Sequence, residues 1–187
     1  YDPNHYDKYS MQEMKNWAIT DVYPPGSTFK MVTAIAGLES GAVSINEYIN
    51  DNGPFIVSND PKYDNPACWY YNSYGRGHGW LNITQAIEKS CNYFFYEIGN
   101  RMGIDTLSKY ASYFGLGRKT GVELTGEVSG VLAKRSITED EGTPWVVGNT
   151  LVAAIGQGYN DFTPIQMSKY LSTVANGGNN VEMSIIK

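Results

Sequence analysis

The stretch Tyr23-Pro24-Pro25-Gly26-Ser27-Thr28-Phe29-Lys30 constrains this chain more than any other. Two consecutive prolines fix φ and remove two backbone donors, so no helix runs through them. A proline-rich turn is nevertheless a favoured way to start one. Downstream, Phe29, Val32, Ile35, Ala36 and Leu38 recur at near-helical spacing, and Gly41 offers a C-cap. The pattern predicts a mostly buried helix over residues 27–40, with a serine at its N-terminus and a lysine one turn later.

That pairing carries chemistry. Positions i and i+3 share a helix face, so the hydroxyl of Ser27 and the amine of Lys30 come within reach of each other. A desolvated lysine loses its proton more readily and can accept one from the serine, which makes the serine a nucleophile without any histidine. Free N–H groups and the dipole at a helix start also favour a developing anion. Ser184-Ile185-Ile186-Lys187 repeats the spacing without that setting and reads as an accident.

Ser90-Cys91-Asn92 is the second candidate, in a break between a helix begun by Asn82-Ile83-Thr84-Gln85 and another over residues 93–102. The hydroxyl of Ser90 can relay a proton, and the amide of Asn92 can hold a carbonyl or the lysine. Ser44-Ile45-Asn46 has the same spacing, and a plain helix cap is the bland alternative for both.

Further helices are predicted at residues 106–114, capped by Asp105, and at 149–155 and 163–175, the last closed by Asn176-Gly177-Gly178. Residues 50–79 and 121–142 read as loops with short strands. The chain is thus helix-rich, and its C-terminal Ile185-Ile186 reads as the start of a strand. Both ends look cut, so an anchor, an export signal and a sheet are expected outside it.

At 187 residues the chain suits one domain with a sizeable core. A net charge of -5, with scattered Lys and Arg, argues against nucleic acid or an anionic membrane as the main partner. No apolar run approaches the length of a membrane helix.

Cys68 and Cys91 are too few for a disulfide scaffold; one disulfide, two buried thiols or a shared metal are all open. Cys68, His78 and Cys91 are donors that zinc prefers, and a closed structural site needs a fourth. Asp60 is the first choice for it, and Asp64 the second. His5 reads as a surface residue.

Tyr23 to Lys30 resembles the nucleophile motif of class B penicillin-binding proteins almost residue for residue, and Glu88-Lys89-Ser90-Cys91-Asn92-Tyr93-Phe94-Phe95 resembles their second motif. Phe114-Gly115-Leu116-Gly117 with Thr120-Gly121, Gly156-Gln157-Gly158-Tyr159 with Thr163-Pro164-Ile165-Gln166, and Ala175-Asn176-Gly177-Gly178 follow in family order. The family's third motif, Lys-Thr/Ser-Gly on a strand, is where the sequence departs. Lys119-Thr120-Gly121 has the letters, but stands only 29 positions after Ser90, inside a stretch that matches another family loop. It reads as a decoy, and the motif proper is expected beyond Lys187.

The resemblance implies an α/β (α+β) fold of the penicillin-binding protein and serine β-lactamase type, present mainly as its helical part, over residues 1–187. It implies a peptidoglycan D,D-transpeptidase acylated at Ser27 by stem peptides ending in D-Ala-D-Ala and by β-lactams, with Lys30 as base, Ser90 as proton donor and Asn92 as substrate holder. It also implies an elongation- or sporulation-type protein on the extracytoplasmic face of the membrane, paired with a glycosyltransferase, and with structural zinc in some relatives. The fragment alone is expected to be inactive. A β-lactamase or β-lactam sensor shares the serine–lysine chemistry, but the Gly-Gln-Gly-Tyr and Thr-Pro-Ile-Gln stretches favour the transpeptidase. A non-enzymatic zinc module would work without Ser27.

Overall fold

A computed structural model describes residues 2–10 and 14–186. Three helices form its frame: α2 (Lys30–Glu39), α5 (Asn92–Tyr113) and α7 (Val147–Ala154), with α5 packed between the other two. Around them lie α1 (Trp17–Thr20), α3 (Trp69–Tyr74), α4 (Ile83–Glu88), α6 (Arg135–Asp140) and α8 (Pro164–Ala175). Strands β1 (Ile49–Asp51) and β2 (Gly79–Leu81) pair antiparallel, with Asp51 opposite Gly79. Among the described residues this is the one sheet, and the fold is the helical portion of a mixed α/β architecture.

Helix boundaries here have a sequence cause. Helix α4 opens on a capping box in which Asn82 and Gln85 satisfy each other's backbone N–H groups, and Thr163 with Gln166 does the same for α8. Helix α5 breaks at Gly103, whose φ of 73° no helix accommodates. The two halves, 92–102 and 104–113, are the predicted pair. Asp105 caps neither half: it lies inside the second, and its carboxylate binds Arg135.

The apolar faces close two adjoining cores. One gathers Phe94, Phe95 and Ile98 from α5 with Cys68, Cys91, Leu81 and Ile83. The other gathers Phe29, Val32, Ile104, Leu107, Ala154, Phe162 and Tyr170. Helix α5 contributes to both, so the break at Gly103 lets one element serve two cores. Thr33, fully buried on α2, offsets the cost of its hydroxyl by donating to Ala154 O at 2.7 Å, which ties α2 to the end of α7.

Three helices escape the sequence reading: α3, α6 and the four-residue α1. Helix α3 lies in the stretch read as loop, and α6 lies within residues 121–142. Both are six residues long, too short to display a periodicity.

Candidate active site

Gly26–Phe29 forms one turn of 3-10 helix that runs directly into α2. Three residues per turn places Ser27 and Lys30 on one line, the serine exposed and the lysine only 2 % exposed. The turn is anchored from two later elements. Gly26 N–H donates to Gly156 O at 2.8 Å, and the Tyr170 hydroxyl donates to Thr28 O at 2.9 Å. Gly156 must be glycine: its φ is +76°, and a Cβ there would stand 2.2 Å from Gly26 O.

Lys30 reaches across to the break between α4 and α5. Its Nζ donates to Ser90 O at 2.9 Å, Ser90 Oγ at 2.9 Å and Asn92 Oδ1 at 2.5 Å. Ser90 Oγ in turn lies 2.9 Å from Ser27 Oγ. The four residues singled out in the sequence therefore form one connected set. The lysine's hydrogen bonds go to Ser90 and Asn92, so its link to Ser27 runs through the Ser90 hydroxyl. Burial pulls the Lys30 pKa down to about 8, against the opposing effect of nearby Cys68 and Cys91. A neutral amine is thereby accessible close to neutral pH.

Ser90 pays a backbone cost for its place. Its φ is 50°, the one positive value outside glycine among the described residues. A left-handed serine costs roughly 1–2 kcal/mol. Such strain persists only where the surroundings hold it.

The family model described as the penicillin binding protein transpeptidase domain matches residues 1–187. The chain belongs to the penicillin-binding protein transpeptidase family. The peptidoglycan D,D-transpeptidase MrdA of Escherichia coli K12 is 38% identical over 165 residues, covering 87% of this chain and 25% of MrdA. This chain thus spans about a quarter of the length of that relative. A solved complex between the penicillin-binding protein PBP2 and MreC of Helicobacter pylori superposes with a TM-score of 0.83 at 30% identity, covering 98% of this chain and 33% of that one. A structure of a peptidoglycan synthase complex that coordinates polymerization and crosslinking gives a TM-score of 0.80 at 30% identity, covering 98% of this chain and 31% of the other.

A second cluster lies behind the turn at Ser90. Asp51, Cys68, His78 and Cys91 bring one donor atom each to within 4.8 Å of one another. Cys68 Sγ lies 3.6 Å from His78 Nδ1 and 4.0 Å from Cys91 Sγ; Asp51 Oδ2 lies 2.9 Å from His78 Nδ1 and 3.3 Å from Cys91 Sγ. Tetrahedral zinc, with bonds of about 2.0–2.3 Å, spaces its donors about 3.3–3.8 Å apart. The donor set is of the kind that ion takes, and the four spacings of 2.9–4.0 Å straddle that range. The pairing with Cys91, with help from backbone N–H groups including that of Asn92, holds the Cys68 thiol pKa below its ordinary value, and the same pairing pushes the Cys91 thiol up.

The carboxylate in this cluster is Asp51, which corrects the choice of Asp60 and of Asp64. Asp60 sits on an exposed turn and accepts the Lys62 N–H at 2.9 Å. Asp64 is likewise exposed. The reason is topological: β1 pairs with β2, which sets Asp51 opposite Gly79 and beside His78. Reading residues 50–79 as loops with short strands did not reveal that pairing, because Ile49-Asn50-Asp51 shows no alternation of apolar and polar residues.

Lys119-Thr120-Gly121 forms no strand. Lys119 is exposed, and both Thr120 and Gly121 bind the buried carboxylate of Glu127. Ser184 bonds to Glu123, and its sequence partner Lys187 lies outside the described residues. His5 is exposed and pairs with Asp2.

Proposed function

We propose that this chain forms the nucleophile-bearing part of a serine D,D-transpeptidase that cross-links peptidoglycan through an acyl-enzyme on Ser27. The observation that carries the reading is the continuous path Ser27 Oγ, Ser90 Oγ, Lys30 Nζ, Asn92 Oδ1, each step at hydrogen-bond distance. The similarity to MrdA supports it.

Ser27 attacks the carbonyl between the two terminal D-alanines of a stem peptide. Its proton passes through the Ser90 hydroxyl to neutral Lys30. The C–N bond then breaks, and the departing D-alanine takes a proton back through Ser90. Asn92 steadies Lys30 and the substrate amide. An amine from a second stem peptide attacks the acyl-enzyme, releasing Ser27 and forming the cross-link. A β-lactam acylates the same serine because its strained amide stands in for the D-Ala-D-Ala bond.

Zinc held by Asp51, Cys68, His78 and Cys91 would supply a structural cross-link. Those residues join β1, the start of α3, the approach to β2 and the start of α5. The ion's effect on chemistry is indirect, since Cys91 sits between Ser90 and Asn92.

The parent protein works at the extracytoplasmic face of the bacterial membrane, anchored outside these residues. No described helix is long and apolar enough to cross a membrane. The solved synthase complex and the complex with MreC support a glycosyltransferase partner and a place in a larger assembly. Because no Lys-Thr/Ser-Gly strand accompanies the cluster among the described residues, full-rate acylation is assigned to a longer protein rather than to these residues alone.

The test is labelling with a fluorescent penicillin. The full-length protein is expected to be labelled once, at Ser27, and Ser27→Ala to be blank. Persistent labelling of the alanine variant would sink the reading.

A further inference from the structure

We infer that Trp69 is a positioning residue, whose indole N–H holds the backbone of Ser90 and thereby keeps the Ser90 hydroxyl between Ser27 and Lys30. The inference rests on the transpeptidase reading and concerns how its central hydroxyl stays in place.

Ser90 occupies the left-handed region, at φ 50°. Something must keep it there. Trp69 Nε1 lies 3.2 Å from Lys89 O and 3.2 Å from Ser90 O, the carbonyls on either side of Ser90. In extended backbone successive carbonyls point to opposite sides. They converge on one donor only where the intervening residue is turned, so a shared indole proton selects the turned state of Ser90. The indole grips the residue whose side chain lies 2.9 Å from the nucleophile.

The same short segment grips the turn twice. Cys68, the neighbour of Trp69, accepts the Asn92 N–H at its sulfur, 3.3 Å away. From the inside, Lys30 Nζ donates to Ser90 O. That inner hold is intermittent: a neutral lysine has two N–H donors where the ammonium has three. An indole N–H does not titrate, so it holds the carbonyl through every stage of proton transfer.

Trp69 is 44% exposed, edge-on to Tyr70 at 5.6 Å and to His78 at 5.8 Å. A half-exposed indole beside a nucleophile could instead be a platform for substrate. The two roles separate experimentally.

In the full-length protein, the non-covalent Kd for a β-lactam and the acylation rate constant are measured separately for wild type, Trp69→Phe, and a variant with benzothienylalanine at position 69. Phenylalanine keeps a ring; the sulfur isostere keeps the indole's shape and removes only the N–H. Both are expected to lower the acylation rate constant about tenfold, the scale of one lost hydrogen bond, with Kd and melting temperature near wild type. In a Ser90→Ala background, the change at Trp69 should cost nothing more, because its route to the chemistry is gone. A loss confined to Kd, an undiminished loss in the Ser90→Ala background, or a wild-type rate for the isostere would each overturn the inference. If the wild-type protein is not acylated at Ser27, the transpeptidase reading itself falls and takes the inference with it.

Discussion

Lys30 Nζ and Asn92 Oδ1 meet at 2.5 Å across 62 positions of sequence, joining the start of α2 to the start of α5. The contact places a buried amine where its protonation is governed by a polar turn on one side and by two sulfurs behind it.

If Lys30 is the base, its guanidinium analogue cannot replace it. Lys30→Arg keeps the charge but stays protonated at any accessible pH. Acylation by a β-lactam is expected to fall by about 10²–10⁴, the usual share of general-base catalysis. Lys119→Arg should leave the rate within about twofold, since Lys119 is exposed and its neighbours bind Glu127. A penalty at position 119 comparable to that at 30 would restore Lys119-Thr120-Gly121 to the site.

The lysine also sets the pH dependence. Burial lowers its pKa from 10.5 to about 8, which makes the protonated form dominant below that value. The competent form is the neutral one, so the rate of acylation should rise with pH, about tenfold per unit at first, and level off above about 8. Stopped-flow acylation from pH 6 to 10 would show this. A profile flat across that range would mean that Lys30 supplies only charge.

Metal content distinguishes the two aspartates. Protein purified without chelator is expected to hold about one zinc per chain. Asp51→Ala should lower zinc content and melting temperature together, whereas Asp60→Ala should change neither. Elemental analysis and a melting curve suffice. Full zinc occupancy in Asp51→Ala would remove that residue from the site.

The anchoring of the nucleophile turn predicts an intolerant glycine. In Gly156→Ala the new Cβ meets Gly26 O at 2.2 Å and Phe29 Cβ at 2.6 Å, in a backbone conformation alanine disfavours. A loss of about 2–4 kcal/mol is expected, in the range of overpacking with backbone strain. Urea denaturation measures it. A loss under about 0.5 kcal/mol would show that the turn yields easily.

The parts of this site that could be read from sequence are those whose partners are close in sequence. Ser27 and Lys30 share one turn, Ser90 and Asn92 share one break, and the caps at Asn82 and Thr163 need only the next three residues. Features made by distant pairing could not be read that way. Asp51 joins the cluster only because β1 meets β2, and neither three-residue strand advertises itself. Likewise nothing local links Trp69 to Ser90, 21 positions later; the link exists because α3 folds back on the turn. The expected direct contact between Ser27 and Lys30 became a relay because the break between α4 and α5 inserts the Ser90 hydroxyl between them.

The tether from Tyr170 to Thr28 spans 142 positions, and that from Gly156 to Gly26 spans nearly as many. Ser27 is thus made early and positioned late. As the chain is made, the turn lacks its first anchor until Gly156 is present and its second until α8 can dock. Such long-range closure comes after local structure in the order of folding. The turn that carries Ser27 is therefore fixed only once the segment from Gly156 to Tyr170 has joined it.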